Sequence, residues 1–87
     1  METIAQAAQA ALDVQNASNL SGVVHAFSRA LSLLVKENVP SVRTHPISVL
    51  FAVQVGYLAG TSYLCEEKAN YDAAYKECER LAKGNDS

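Results

Sequence analysis

Two histidines, two cysteines and a run of serines and basic residues are the side chains of this 87-residue chain that could do chemistry. His25 and His45 invite a metal reading, because imidazole is the commonest transition-metal ligand. Neither has an Asp, Glu or Cys at ligand spacing in the sequence. In an antiparallel helical hairpin His25 also lies about thirteen residues from the turn that carries His45, roughly 20 Å at the helical rise. A metal site is therefore not expected. A Ser–His or Cys–His nucleophile fares no better, since no acid stands near either histidine and no glycine-flanked nucleophile is visible. Cys65 and Cys78 are too widely spaced for a paired-thiol redox motif. Without a secretory leader they read as reduced thiols of a cytoplasmic protein. The chain is read as a non-enzyme with no cofactor.

Anion binding fits the residues better. Ser21, His25, Ser28, Arg29, Ser32 and Lys36 recur along one side of the segment "NLSGVVHAFSRALSLLVK", and Asn19 and Gly22 stand at its start. A helix N-terminus offers unpaired N–H groups and a partial positive charge, so small polar residues there can hold a phosphate or carboxylate. Lys36 approaches a turn with Arg43, Thr44 and His45, itself the start of another helix and a second seat of the same kind. The candidate ligand-binding set is thus Asn19, Ser21, His25, Arg29, Lys36, Arg43, Thr44 and His45. The competing reading is a solvated face on which Asn19 and Thr44 serve only as caps.

The elements that must carry these residues follow from periodicity. Residues 3–16 are rich in Ala and Gln, with Ile4, Ala8, Ala11 and Leu12 on one side, a shallow face suited to close packing on another helix. The "NASN" stretch interrupts it and offers Ser18 or Asn19 as a cap. From about 20 to 38, Leu20, Val23, Val24, Phe27, Ala30, Leu31, Leu34 and Val35 recur at steps of three and four, up to Pro40. Thr44 or His45 caps a third helix, about 46–67, with Pro46 in an early position. This helix is apolar almost all round, which predicts burial on most sides, and it either runs on past Gly60 or breaks at Gly60–Ser62. Ser48, Ala52, Gly56 and Gly60 give it a ridge of small residues. Tyr71, Ala74, Tyr75, Cys78 and Leu81 face inward in a last helix, 70–83, that ends at Gly84. The fold class is all-α: a single small helical bundle, residues 1–87, around a central antiparallel hairpin, with 84–87 a polar tail.

Composition supports a packed chain, with 49% hydrophobic and 18% charged residues. From Val14 to Cys65 the only formal charges are Arg29, Lys36, Glu37 and Arg43, whereas six acids follow from Glu66 onward. The net charge of −2 gives no pull toward nucleic acid, and Lys68, Lys76, Arg80 and Lys83 offset the acids enough to weaken a DNA-mimic reading. The run 47–65 is long enough to span a bilayer, but Ser48, Gln54, Thr61 and Ser62 dilute it and basic flanks are sparse, so no membrane is expected. So short a chain has a small core, which favours homo-oligomers.

The segments "NASNLSGVVHAFSRALSLL" and "THPISVLFAVQVGYLAG" resemble a family of short uncharacterised proteins encoded in bacteriophage and prophage genomes. The resemblance covers about residues 16–60 and rests on Asn16, Asn19, Leu20, Ser21, Gly22, His25, Thr44, His45 and Pro46. This chain departs from the pattern at Val53 and Gln54, where the family carries an Asp or Lys. The resemblance implies a bacterial host cell as the setting. There, the expected role is an anti-defence protein that sequesters an anionic host signal, a cyclic nucleotide or an ADP-ribose derivative, at subunit interfaces. The alternative is a helical inhibitor or adaptor of a host protein, touching it through Tyr71 and Tyr75 or through the apolar third helix.

Overall fold

The computed structural model describes residues 3–60 and 68–84, and every described element is helical. Helix α1 spans Ile4–Asp13 and continues into a single 3-10 turn, Val14–Asn16. Its start is a capping box: the Thr3 hydroxyl accepts the Gln6 N–H, and the Gln6 side chain accepts the Thr3 N–H. Helix α2 spans Leu20–Lys36 and α3 spans Pro46–Leu58, joined through a 3-10 turn at Val42–Thr44. Helix α4 spans Lys68–Ala82. The all-α bundle read from periodicity is what forms.

Helix α1 buries Ala7, Ala8 and Ala11. A face of methyl groups lets two backbones approach closely, and the neighbour that uses it most is α4, which brings Ala74 and Cys78 into the same core. Helices α2 and α3 pack as the expected hairpin. Phe27 stacks on Phe51 with ring centroids 5.3 Å apart and planes 9° from parallel, which sets the antiparallel register. Val23, Ala30, Leu33 and Leu34 from α2 meet Ile47 and Leu50 from α3 in one cluster.

Two glutamines tie the first connection to α3. Gln54 Nε2 donates to the Ala17 carbonyl at 2.8 Å. Gln15 Nε2 donates to the Ala11 carbonyl (2.9 Å) and the Leu50 carbonyl (3.1 Å), while its Oε1 accepts the Tyr71 hydroxyl at 3.0 Å. The Gln54 bond satisfies a carbonyl of the irregular connection, and the Gln15 bond adds a second donor to a carbonyl within α3. By contrast, the Ser48 hydroxyl is buried without a hydrogen-bond partner.

Several boundaries differ from the sequence expectation; α4, expected over 70–83, spans Lys68–Ala82. Helix α2 does not reach residue 38; it stops at Lys36, because Asn38 takes a left-handed conformation (φ 59°). The Val39 N–H then reaches back to the Leu34 carbonyl and the Asn38 N–H to the Val35 carbonyl, a Schellman closure with Asn in the position glycine usually fills. Helix α3 is also shorter than 46–67. It ends at Leu58, with Gly60 at φ 82°, so of the two possibilities for Gly60 the break is what occurs; residues 61–67 lie outside the described residues. The first α-helix ends at Asp13, its last turn tightened to 3-10 geometry. Among the described residues no helix is long and apolar enough to cross a membrane.

Candidate functional site

Helix α3 carries little charge because three of its sides are packed, but its fourth side is open. Pro46, Val49, Ala52 and Val53 line one wall of a groove of about 790 Å3, and Asn70, Ala73, Ala74 and Glu77 of α4 line the other. Both sets recur at steps of three and four, so each wall is a single helix face. Arg43 and Thr44 close the end beside Pro46 and Glu77, and Asn70 marks the end beside Val53. The result is an apolar trough, floored by small side chains, with a polar mouth at one end.

The charges at that mouth are unequal. Glu77 is engaged by Arg80: Arg80 Nε donates to Oε1 and Oε2, each at 3.1 Å, and its Nη2 reaches Oε2. That hydrogen bonding holds the Glu77 carboxyl below the usual carboxylate range. Arg43 is exposed, and among the described residues no carboxylate is paired with it. Among the described residues, the mouth therefore presents one guanidinium without a carboxylate partner. Thr44 Oγ1 donates to the Ser41 carbonyl at 3.1 Å, which leaves its oxygen as an acceptor. His45 stands just behind as the N-cap of α3, its Nδ1 accepting the Ile47 N–H at 3.1 Å. Burial lowers the His45 pKa from its ordinary 6.5, against a smaller upward pull from Glu77, so the ring is neutral at neutral pH and its proton sits on Nε2.

No family model, no curated protein and no solved structure matches the chain. The functional reading thus rests on geometry and on the residues themselves.

Of the eight residues singled out from the sequence, Arg43 and Thr44 line the groove and His45 adjoins it. Ser21, His25, Arg29 and Lys36 are exposed on the outer face of α2, so the orderly polar seam exists, but on a convex helix surface and not in a cavity. One chain does not bring the two halves of the set into a single site. Asn19 is the cap of α2, with its Oδ1 accepting the Gly22 N–H at 3.2 Å. At each of the two expected anion seats, then, a first-turn N–H is already taken by the cap residue itself.

The α4 wall was not singled out from the sequence. Its signal was present as the 70–73–74–77 spacing: Ala74 turns to the core as the periodicity predicts, but Ala73, which stays exposed, read as an ordinary helix former. Tyr71 and Tyr75, offered as an exposed aromatic contact, are instead partly buried against the core, their rings 6.1 Å apart, with the Tyr71 hydroxyl bound to Gln15. The exposed aromatic residue among those described is Tyr57. Cys78 is fully buried, and burial pushes its thiol up to about 12, so it is not a nucleophile at neutral pH. Among the described residues no three of His, Cys, Asp and Glu are grouped to hold a metal ion.

Proposed function

We propose that the chain is a non-catalytic binding protein whose α3–α4 groove takes an anionic, nucleotide-type ligand. One observation carries this: an apolar trough of about 790 Å3 ends in a guanidinium that has no carboxylate partner among the described residues. The volume falls in the range of small-molecule sites, which are mostly apolar with a few convergent polar groups. A phosphate would sit against Arg43, held by charge-assisted hydrogen bonds, and the flat base would lie on Pro46, Val49 and the alanines. In the bacterial setting that the family resemblance implies, such a ligand is a host immune signal, and binding withdraws it from circulation. The helix N-termini play no part in this reading.

Calorimetry against a panel of cyclic nucleotides and ADP-ribose derivatives tests it. Binding at micromolar concentration that is abolished in Arg43→Glu and weakened in Ala73→Leu, which fills the trough, is the expected result. The absence of heat from every nucleotide at about 100 micromolar, with the helical spectrum intact, would overturn it.

A second reading has its own support. Two walls built as helix faces around an apolar floor suit the apolar stripe of a partner helix, as in an inhibitor or adaptor of a host protein. Binding of a helical host protein that survives Arg43→Glu and is lost in Val49→Glu would favour it over the nucleotide.

A further inference from the structure

We propose that α2 pairs with α2 of a second copy of this chain, antiparallel about a two-fold axis, through Leu20, Val24, Leu31 and Val35. The core uses only part of the apolar arc of α2: Val23, Ala30, Leu33 and Leu34 are buried against α3 and α1. Next to that face runs a second apolar strip that no described element packs over. Leu20 is 38% exposed, Val24 43% and Val35 64%, with Leu31 half-buried between them. Steps of four, seven and four place these four on one side of a helix.

The spacing is symmetric. Leu20 and Val35, and likewise Val24 and Leu31, are equidistant from the midpoint between Phe27 and Ser28. An antiparallel two-fold therefore lays Leu20 over the partner's Val35 and Val24 over the partner's Leu31, a leucine against a valine at every level. Self-complementarity of this kind is what an isologous contact needs. A parallel two-fold would oppose like with like, leucine on leucine and valine on valine.

Charge points the same way. Helix α2 contains no acidic residue, and its basic groups, His25, Arg29 and Lys36, lie off the strip. Glu37 caps its C-terminus. Antiparallel pairing sets helix ends of opposite dipole sign beside each other and keeps the two Glu37 carboxylates apart, whereas parallel pairing brings like ends together. The strip is about 22 Å long. Two such surfaces bury on the order of 1,000 Å2, the lower limit for a specific interface. The same two-fold sets the Ser21–Ser28–Ser32 edges of both helices on one side of the dimer, so the polar seam becomes a surface shared by two chains.

The pairing does not involve the α3–α4 groove, so self-association and ligand binding fail independently. Sedimentation velocity of the full chain at about 10 to 100 micromolar provides the test. The expected species has twice the 9.3 kDa chain mass. Val24→Asp, Leu20→Lys and Val35→Glu each give monomers with unchanged helical circular dichroism, and Leu20→Lys combined with Val35→Glu restores the dimer, because each new lysine then faces the partner's new glutamate. A monomeric parent chain, a Val24→Asp variant that still dimerises, or a double variant that stays monomeric overturns the proposal.

Discussion

His45 caps α3 through the lone pair of Nδ1, which receives the Ile47 N–H, so a second proton on the ring removes the acceptor that starts the helix. Burial already disfavours the charged form and lowers its pKa from 6.5. The unfolded chain therefore takes up this proton first as pH falls. Stability from the neutral ring is fully present above 6.5 and is lost as pH falls through that value toward the lower folded one. The melting temperature should accordingly drop between about pH 7.5 and pH 5. His45→Asn keeps a cap acceptor without a titrating group, and the difference between the two melting profiles should shrink in that window; parallel profiles would refute the assignment. Ser48 offers a second test at this scale. Its hydroxyl is buried with no partner, so Ser48→Ala should stabilise the fold, by up to about 1 kcal/mol in urea titration. Loss of stability would mean that the hydroxyl has a partner in solution. Neither property was legible beforehand: His45 reads equally well as a cap or as part of a site, and Ser48 reads as one of a ridge of small residues, until burial and hydrogen bonding decide.

At the scale of elements, the helices were legible because their apolar residues recur at three- and four-residue steps, and the ends were legible only where a side chain marks them. Asn19 and Pro46 marked two starts correctly. Pro40 misled about the end of α2, since the stop depends on one backbone conformation at Asn38 and leaves little trace in composition. That conformation is testable. Glycine enters the left-handed region without cost, so Asn38→Gly should stabilise by about 0.5 kcal/mol, while Asn38→Val should destabilise by about 1 kcal/mol or more. Similar urea midpoints for all three would show that the Schellman closure is not formed in solution. The end of α3 at Leu58 has the same logic, with Gly60 supplying the positive φ that residue 38 obtains from asparagine.

For the whole molecule, the tie between the first connection and α3 rests on amides more than on apolar burial. Gln54 had been read as a residue that weakens a membrane assignment; in the fold it holds Ala17 against α3. Gln54→Leu keeps the volume but leaves the Ala17 carbonyl without its donor, which should cost about 1–2 kcal/mol. Because the bond joins segments 37 residues apart, that cost should appear in hydrogen exchange as faster opening of α1 with α2 little changed. Uniform acceleration across both helices would refute this local role. Only the mouth of the candidate site could be read, from Arg43, Thr44 and the adjoining His45; the walls could not, because the groove exists only where α4 lies along α3, and pairing of distant helices leaves no local pattern.

The alanine face of α1 sets how this protein can vary. Ala7, Ala8 and Ala11 are fully buried, with α4 as their chief neighbour, so there is no unused volume into which a longer side chain could grow. Adding even a few methylenes forces two backbones apart, and because α4 is also one wall of the groove, the displacement widens the trough as it loosens the core. In a saturation library these three positions should accept little beyond glycine and serine, whereas Val49, Val53 and Ala73 tolerate many replacements. The shape of the groove is thus inherited from residues that never touch what it holds.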